Sequence, residues 1–395
     1  MDGPLKDVKV LELGQLIAGP FCTRVMAEFG AQVIKVESPN GGDPLRKWRK
    51  LYKEKSLWWL LQARNKQSVT INLKEKDGQE IVRRLAKDAD ILVENFRPGA
   101  LEKWGLGYDS LAKENSGLVM VRLSGYGQTG PYRDRPGFGA IGEAMGGLRH
   151  VTGYPDRPPV RVGISLGDAV ASLYGVIGAL MALKQREVSG KGQVVDVALY
   201  EAVFSLMESM VPEFDYYDFV RERTGSSLPG IAPSNSYLTK DGKYVVIGAN
   251  GDSIFKRMML AIDRKDLAYD ADLSHNDGRA KRSDELDSVI GAWCASHDLL
   301  HVLDVLEKAE VPSGKIYDVA DIVSDVHYRA RHMIQEYRLS EDESLLIPGI
   351  VPKLSDTPGK TNWLGPDLGE HTDNVLTAAG YEVEEIEDFR RRKII

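Results

Sequence analysis

The chain has 395 residues, 43% of them hydrophobic and 28% charged, and a formal net charge of -7. This composition is that of a globular protein, and the length predicts more than one domain. A mildly acidic chain has no general attraction for nucleic acid or an anionic membrane, so a polyanionic ligand must be met by local cations. The two cysteines cannot form a disulfide framework, and we find neither a signal segment nor a run near the roughly 18 apolar residues of a membrane span. We therefore expect a cytoplasmic protein without nucleic-acid or membrane partners.

The first elements in chain order are those of a βαβ unit. Apolar runs at 8–13 and 33–36 predict two strands, and helical spacing over 20–29 predicts the helix between them. The handedness of such units makes the strands parallel. The loop at 14–20 contains glycines but lacks the G-x-G-x-x-G pattern of a dinucleotide site. It predicts instead a helix N-terminus at the carboxyl edge of the sheet, where open α/β sheets bind ligands.

Further along, alternating apolar runs and helical spacing predict a doubly wound sheet. After a strand at 90–94 comes the loop Asn95-Phe-Arg-Pro-Gly99, which carries an amide, an aromatic ring and a guanidinium together. Such a set suits a purine and a phosphate, and an ordinary Pro-Gly turn is the other interpretation. The remaining predicted elements of this part are a loop and strand over 65–74, a helix at 78–86, strands at 119–123 and 194–198, and a helix at 200–210.

One stretch combines an extended run with an apolar helix. Residues 161–168 read as extended up to a glycine, and 169–185 read as a buried apolar helix with Asp168 at its start. An Asp before an apolar run is most often an N-cap, which stabilises a helix by about 1 kcal/mol. The alternative is a carboxylate, held among glycines, that attacks an activated acyl group, since carboxylates serve as covalent catalysts. The stretch itself leaves both interpretations open.

The composition changes near residue 225. The segment 225–235 is rich in Gly, Pro and Ser and predicts a mobile loop, and an Asp-Gly turn then predicts a hairpin over 236–247, followed by helices. We expect a large domain at 1–224, a smaller α+β domain at 225–325, and a return of the chain to the large domain at 326–395.

Three other kinds of catalytic or metal site receive little support. His297 and His301 lie one helical turn apart, as in zinc proteases, but the base between them and a third ligand are missing, so we expect no metal. The serine-hydrolase pattern G-x-S-x-G does not occur. Cys22 has apolar neighbours inside a predicted helix, which indicates packing rather than a nucleophile.

Several short motifs occur in a fixed order over nearly the whole chain. Taken together they resemble the family III CoA-transferases, also called the CaiB/BaiF family, which includes formyl-CoA transferase and carnitine CoA-transferase. The joint order is far more specific than any one motif. The motifs are Ala18-Gly-Pro20, Gly30-Ala-x-Val-Ile-Lys-Val-Glu37, Asn65-Lys-x-Ser68, Glu94-Asn-Phe-Arg-Pro-Gly99, Gly127-Gln-Thr-Gly-Pro131, Gly167-Asp168 and Gly190-Lys-Gly-Gln193.

The resemblance implies an α/β fold with a Rossmann-like large domain and a smaller α+β domain, in a homodimer of two interlocked rings. It places the nucleophilic aspartate of the family at Asp168, beneath a closing loop that includes Gly225 and Gly230. It also implies CoA binding along several loops. The expected CoA contacts are Gln15, Ile17, Ala18, Ile71, Asn72, Leu73, Lys74, Asn95, Phe96, Arg97, Lys103, Gly137 and Phe138.

The implied activity is transfer of CoA from an acyl-CoA donor to a carboxylic acid through a mixed anhydride on Asp168. CoA and its esters are then substrates, and no tightly bound cofactor is expected. The cations Arg46, Arg133 and Arg161 favour a dicarboxylic acid.

Two alternatives and two departures accompany this expectation. An α-methylacyl-CoA racemase of the same family pairs its Asp with a His where this chain has Phe138, which cannot move a proton. A protein that binds CoA esters without turnover is the other alternative.

Ile17 stands where formyl-CoA transferase has a glutamine, which disfavours oxalate and formate. Ser38 replaces an arginine that contacts CoA in that enzyme, so another cation must meet the phosphates.

Overall fold

The computed structural model describes residues 3–395, which form two compact units. The first contains residues 3–148, Val162–Glu208 and Glu336–Ile395, and the second contains Arg149–Arg161 and Ser209–Gln335. The expected borders at 225 and 325 therefore both lie inside the second unit. A composition rich in Gly, Pro and Ser marks a surface loop, which need not coincide with the point where the chain changes units.

Strands and helices alternate along much of the described chain. The strands are β1 (Lys9–Glu12), β2 (Gln32–Glu37), β3 (Leu51–Tyr52), β4 (Lys55–Ser56), β5 (Lys66–Thr70), β6 (Ile91–Glu94), β7 (Val119–Ser124), β8 (Val194–Ala198), β9 (Ser234–Leu238), β10 (Tyr244–Gly248), β11 (Ser313–Lys315), β12 (Ile334–Arg338) and β13 (Ser344–Pro348).

The α-helices are α1 (Ala18–Glu28), α2 (Leu57–Gln62), α3 (Lys76–Lys87), α4 (Ala100–Lys103), α5 (Tyr108–Leu111), α6 (Gly139–Met145), α7 (Leu166–Ser189), α8 (Leu199–Phe204), α9 (Met210–Tyr217), α10 (Asp252–Ala261), α11 (Lys265–Ala268), α12 (Asn276–Lys281), α13 (Ser283–Ala295), α14 (Leu299–Lys308), α15 (Val319–Ser324), α16 (Val326–Ala330), α17 (Thr372–Ala378) and α18 (Val383–Arg391). Short 3-10 helices span Pro44–Lys47 and Ala271–Leu273.

The first unit is built on a parallel sheet with the strand order β5-β2-β1-β6-β7-β8. This doubly wound order confirms the predicted α/β class. The chain runs outward from β1 to β5 and then returns to the other side of β1 at β6. The loops that follow β1 and β6 therefore diverge to opposite faces, and open sheets bind ligands in the crevice that such a switch point leaves.

Alternate residues of the strands fill a core on each face of the sheet. Leu11, Leu92 and Met120 lie in the core on one face, together with residues of α3, α17 and α18. Their neighbours Val10 and Val93 lie in the core on the other face, with α1 and α7. Burial of one such side chain stabilises the fold by about 1.5–3 kcal/mol. Because both faces are covered, β6 and β7 are buried along their whole lengths, which is why residues 91–93 and 119–121 are continuous apolar runs.

Helix α7 packs against α1, β7 and β8 through its small residues. Ala171, Gly175 and Ala179 are buried, and a Cβ added to Gly175 would lie 3.1 Å from Sγ of Cys22. The predicted burial of the apolar helix is wrong for several of its large residues within this chain alone, because close packing uses the small residues and turns these large ones outward. The exposed large apolar residues within 169–185 are Leu173, Tyr174, Ile177, Leu180 and Met181, the last with 67% of its surface accessible.

The same helix is long and apolar enough to cross a membrane by these two criteria, with 33% of its most apolar window buried. The sequence predicts no such segment, because it lacks an unbroken run of large apolar residues of the required length. In α7 small residues interrupt the large apolar ones, yet the mean hydropathy of the helix stays high. An exposed apolar face of this length is typical of a surface that another molecule covers.

The second unit contains a three-stranded antiparallel sheet, in the order β11-β10-β9, and several helices. β9 and β10 form the predicted hairpin, and Gly242 of its Asp-Gly turn has a φ of 74°, which favours glycine. Val245 and Ile247 alternate with exposed residues and fill a core with Met258 and Ile290. This confirms an α+β arrangement for this part of the chain.

Candidate active site

Asp168 lies in the first turn of α7 and is partly buried. The helix begins at Leu166, and its N-cap residue is Ser165, without a side-chain cap hydrogen bond. Asp168 is therefore the third residue of the helix rather than its cap, and the capping interpretation is wrong. An acidic group in the first turn is stabilised by the helix dipole, by about 0.3–1 kcal/mol at exposed positions.

The Asp168 carboxylate rests against the start of α6. If Gly139 carried a Cβ, that atom would lie 2.6 Å from Cγ of Asp168 and closer still to Oδ2. A Cβ on Gly167 would likewise lie 3.0 Å from the carbonyl oxygen of Gly139. Glu143, one turn further along α6, is buried, and its Oε1 accepts a hydrogen bond of 3.4 Å from the N–H of Gly167. The glycines at 139 and 167 thus permit a close approach of α6 to the first turn of α7.

Ser172 connects the Asp168 turn to the loop after β1. Its side chain is one turn after Asp168, and its hydroxyl lies 2.6 Å from the carbonyl oxygen of Asp168 and 2.7 Å from that of Ala18. Ala18 is the first residue of α1 and directly follows Gln15 to Ile17. The structure therefore brings the loop at 15–18, where the family resemblance implies CoA binding, next to the turn that carries Asp168.

The loop after β1 is tied to the loop after β6. The N–H of Gln15 donates to Oδ1 of Asn95, and Nδ2 of Asn95 donates to the carbonyl oxygen of Gln15, each at 2.8 Å. The Asn95 side-chain amide thus pairs with the main chain of Gln15 as a neighbouring strand would, and it connects the loops on the two sides of the switch point. Its observed role is to position the Gln15 loop, and its direct contact with CoA stays a prediction.

Leu16, in the middle of this loop, has a φ of 63°, a left-handed conformation that is uncommon for a residue with a side chain. Its N–H donates to both carboxylate oxygens of Asp43, at 3.2 and 3.1 Å. Asp43 is buried and also accepts a hydrogen bond from the N–H of Leu45 at 2.9 Å. Strained residues persist where their surroundings fix them, and they concentrate at functional sites.

A fully buried cluster of charges underlies this loop. Lys35 contacts Glu12 at 2.8 Å and Asp43 at 2.9 Å and donates to the carbonyl oxygen of Gly14 at 2.8 Å. Lys66 contacts the other oxygen of Glu12 at 2.8 Å. The family motifs contain Lys35 and Lys66, but nothing local in the sequence reveals that they share one carboxylate.

The pKa values in this cluster follow from burial and from the shared carboxylate. Burial opposes ionisation of Glu12, but Lys35 and Lys66 outweigh it and lower the pKa of this carboxyl. Burial lowers the pKa of Lys66 to about 8, partly offset by Glu12. Burial also acts to lower the pKa of Lys35, yet Glu12 and Asp43 together raise it above its usual value. Lys35 is therefore firmly charged and holds the carbonyl of Gly14.

The other predicted CoA contacts lie on loops after β5 and β6, which end at the same edge of the sheet. The Ile71 and Ala18 side chains are buried, so at these two positions a ligand can meet main-chain atoms but not the side chains. The N–H of Asn72 donates to the carbonyl oxygen of Ile394 at 2.7 Å. Phe96 packs edge-on against Trp104, with ring centroids 5.3 Å apart. Leu73 is partly buried, and the exposed cations at this edge are Lys74, Arg97 and Lys103.

Gly137 and Phe138 precede α6 directly. A Cβ on Gly137 would lie 2.7 Å from Cα of Gly125, so a contact between two backbone segments fixes this loop. The Phe138 side chain is 69% exposed and is the N-cap residue of α6. It thus stands next to Gly139 and the Asp168 carboxylate, and it offers no proton-transfer group there.

The remaining predicted residues belong to both units. Arg133 is exposed in the first unit and Arg161 is exposed in the second. Arg46 donates through Nε and Nη2 to Glu37, each at 2.7 Å, so a structural ion pair occupies the guanidinium expected to bind a substrate carboxylate. Gly225 and Gly230 belong to the second unit, where Gly225 N–H donates to the carbonyl of Gly153 at 2.9 Å and Asn276 donates to the carbonyl of Gly230 at 2.8 Å. Closure of their loop over Asp168 stays a prediction.

Comparison with known proteins supplies the family. Residues 5–372 match the profile of CoA-transferase family III. The chain is 50% identical over 375 residues to succinyl-CoA–D-citramalate CoA-transferase of Chloroflexus aurantiacus, covering 95% of this chain and 93% of that protein. It is 42% identical over 405 residues to the succinyl-CoA–L-malate CoA-transferase beta subunit of the same organism, covering 100% of both. A solved CAIB/BAIF family protein from Brucella suis superimposes with a TM-score of 0.84 at 31% identity, covering 96% of this chain and 100% of that one. The chain therefore belongs to CoA-transferase family III, and it is a CoA-transferase.

Proposed function

We propose that this enzyme transfers CoA from succinyl-CoA to a second short dicarboxylic acid, through an acyl anhydride on Asp168. The observation that carries the proposal is the partly buried Asp168 carboxylate, in the first turn of a helix and beside the loop at 15–18. The relatives support the choice of acids, because their names pair succinyl-CoA with D-citramalate and L-malate. A relative from Haloarcula marismortui, 34% identical over 390 residues, is a succinyl-CoA:mesaconate CoA-transferase.

The chemistry requires no energy input and no cofactor. The Asp168 carboxylate attacks the thioester carbonyl, the C–S bond breaks, and CoA leaves as a thiolate while a mixed anhydride forms. The acceptor carboxylate then attacks the aspartyl carbonyl carbon and releases the donor acid. Finally the thiolate attacks the acceptor carbonyl carbon of the new anhydride, which yields the acceptor thioester and restores Asp168. One CoA thioester is formed for each one broken, so the overall free-energy change is small and the reaction runs in both directions.

The position of Asp168 suits a nucleophile. The amino end of α7 carries a partial positive charge, which stabilises the carboxylate between turnovers and the negative oxygen of a tetrahedral intermediate. We further propose that the loop containing Gly225 and Gly230 closes over the anhydride and presents backbone N–H groups to that oxygen. One such donor contributes about 3–4 kcal/mol in other enzymes. Closure would also exclude the water that hydrolyses an anhydride.

We also propose that the enzyme is a homodimer in which a second copy covers the outward face of α7. This face exposes Leu173, Ile177, Leu180 and Met181 along consecutive turns. A contiguous apolar surface of this kind is typical of an interaction site. An interlocked arrangement of two chains, as the family resemblance implies, would bury it without a membrane.

The direct test is the covalent intermediate. With succinyl-CoA and no acceptor, the wild-type enzyme should release CoA once per site. Hydroxylamine should then convert the activated Asp168 carboxyl group to a hydroxamate, and borohydride should reduce it to an alcohol, each located by peptide mass spectrometry. Asp168→Asn should bind CoA and lower transfer by more than about a thousandfold. Asp373→Asn, at an exposed position in the first turn of α17 in the same unit, is the matched control and should transfer normally. Substantial turnover by Asp168→Asn would remove the aspartate from the mechanism.

The same assays separate the two alternatives. A racemase would exchange deuterium into the α-carbon of a chiral acyl-CoA without any acceptor acid, and a binding protein would show neither exchange nor trapping. Competition among mono- and dicarboxylic acceptors, read by mass spectrometry of the CoA esters, then tests the acid pair. Preference for monocarboxylic acids would contradict the proposed substrates.

A further inference from the structure

Gly139 stands at a position where the backbone itself does not require glycine. It is the first residue of α6, so its conformation is helical and open to any residue. Alanine has a higher helix propensity than glycine, and the exchange reduces the freedom of the unfolded chain. With nothing else nearby, alanine at this position would therefore be neutral or stabilising.

The contact that explains the glycine is the Asp168 carboxylate. A Cβ at position 139 would lie 2.6 Å from Cγ and 3.1 Å from Oδ1 of Asp168, and Oδ2 would be nearer than either. Contacts between a Cβ and another heavy atom below about 3.0 Å do not persist, since both groups resist overlap. One of the two elements must then move.

Helix α6 also packs closely against α8, so moving it away from Asp168 would disturb a second contact, and the carboxylate is the part that moves more readily. A Cβ on Gly142 would lie 2.9 Å from Cβ of Leu199, and one on Gly146 would lie 2.7 Å from Cβ of Val203. Both partners are buried residues of α8. Gly139, Gly142 and Gly146 are three and four residues apart and share one face of α6, so a retreat of that face from Asp168 would also break the packing on α8. The Asp168 side chain can instead rotate about its own bonds, which changes its direction without unfolding either helix.

We propose that Gly139 is a positioning residue for the transfer reaction, because its missing side chain forms the space in which the Asp168 carboxylate is held. The inference rests on the proposed nucleophilic role of Asp168 and extends it to a second position. The size of residue 139 then sets the direction of the carboxylate, and with it the rate of attack on the thioester.

The test compares Gly139→Ala with Gly163→Ala, a control glycine five residues before Asp168 whose added Cβ would meet nothing within 4 Å. We expect Gly139→Ala to lower kcat and the rate of acyl-enzyme formation by about 100-fold, as for a displacement of reacting groups by about 1 Å. KM for the donor should change little, and the thermal midpoint should not fall. Gly163→Ala should keep the wild-type rate. More than half of the wild-type kcat in Gly139→Ala would overturn the proposal.

A double-mutant cycle on thermal unfolding separates this inference from the proposed mechanism. In the Asp168→Ala background the contact is absent. Gly139→Ala should therefore raise the thermal unfolding midpoint in that background, and by more than it raises the midpoint of the wild type. Equal shifts in both backgrounds would show that the two residues do not interact, and the inference would fail even if Asp168 is the nucleophile. If Asp168→Asn were active while the midpoint shifts differed between the two backgrounds, the aspartyl mechanism would be rejected and the contact between Gly139 and Asp168 would be supported.

Discussion

Replacing Glu12 by glutamine removes the carboxylate that two buried lysines share. Lys35 keeps Asp43 at 2.9 Å and the carbonyl of Gly14 at 2.8 Å, whereas Lys66 keeps the carbonyl oxygen of Pro20 at 2.7 Å. A buried charge left without its partner costs about 3–5 kcal/mol. We expect a loss near the lower end, about 3 kcal/mol, because the amide oxygen of glutamine still accepts one hydrogen bond. Domains are stable by only about 5–15 kcal/mol in total, so this loss is large.

The loss of stability caused by Glu12→Gln should depend on pH. The pKa of Lys66 determines whether this loss grows or shrinks as the pH rises. Burial lowers the pKa of Lys66 to about 8 in the folded protein, and Glu12 acts to raise it, so removing Glu12 lowers the pKa further. In the unfolded chain a lysine has a pKa of about 10.4. The folded variant therefore releases the Lys66 proton at a lower pH than the wild type does. The loss of stability is then greatest in neutral or mildly acidic solution and shrinks as the pH rises through about 8.

Urea unfolding followed by tryptophan fluorescence, at about pH 6.5 and about pH 9, measures both effects. Glu80→Gln, on the exposed surface of α3, is the matched control and should change the free energy of unfolding by no more than about 0.5 kcal/mol. A loss below about 1 kcal/mol for Glu12→Gln, or a loss that grows with pH, would refute the assignment of Lys66 as a charged, buried partner of Glu12.

Three further outcomes are expected. Asn95→Ala removes both bonds to Gln15 and should raise KM for CoA esters about tenfold, with a smaller effect on stability; an unchanged KM would contradict the positioning role. Arg279→Met removes a buried guanidinium that donates to three carbonyl groups and to Asp252, and should destabilise the second unit by about 2–4 kcal/mol in thermal unfolding. Met181→Glu should convert a dimer to monomers in light scattering, and an unchanged mass would exclude α7 from the interface.

The strands of the first unit could be predicted closely from the sequence. The expected strands at 33–36, 90–94 and 119–123 correspond to β2, β6 and β7, within one residue at each end. Parallel strands covered on both faces are rich in apolar residues, and a run such as residues 91–93 has a clear end at the polar residue that follows it. The βαβ alternation then fixed the parallel direction, since right-handed crossovers are strongly favoured.

Helix α7 shows where a pattern is insufficient. The sequence predicted a buried apolar helix, but the small residues Ala171 and Gly175 face the sheet, and several large apolar residues between 173 and 181 face outward. When a helix is apolar on two faces, its sequence does not determine which face packs against the rest of its own chain. Sequence patterns also locate the start of a helix only to within a few residues. The prediction of Asp168 as an N-cap depended on that start, so the sequence could not decide it.

The motifs of the chain and their order were sufficient to identify the family, the α/β class and Asp168 as the candidate nucleophile, because these depend on local residue types and on spacing along the chain. The tertiary structure alone decided that Glu12, Lys35 and Lys66 form one buried cluster, that Asn95 holds Gln15, and that Gly139 leaves room for the Asp168 carboxylate. These contacts join residues up to 80 positions apart. Their partners are chosen by the packing of strands and helices in space, which the local sequence around each residue does not specify.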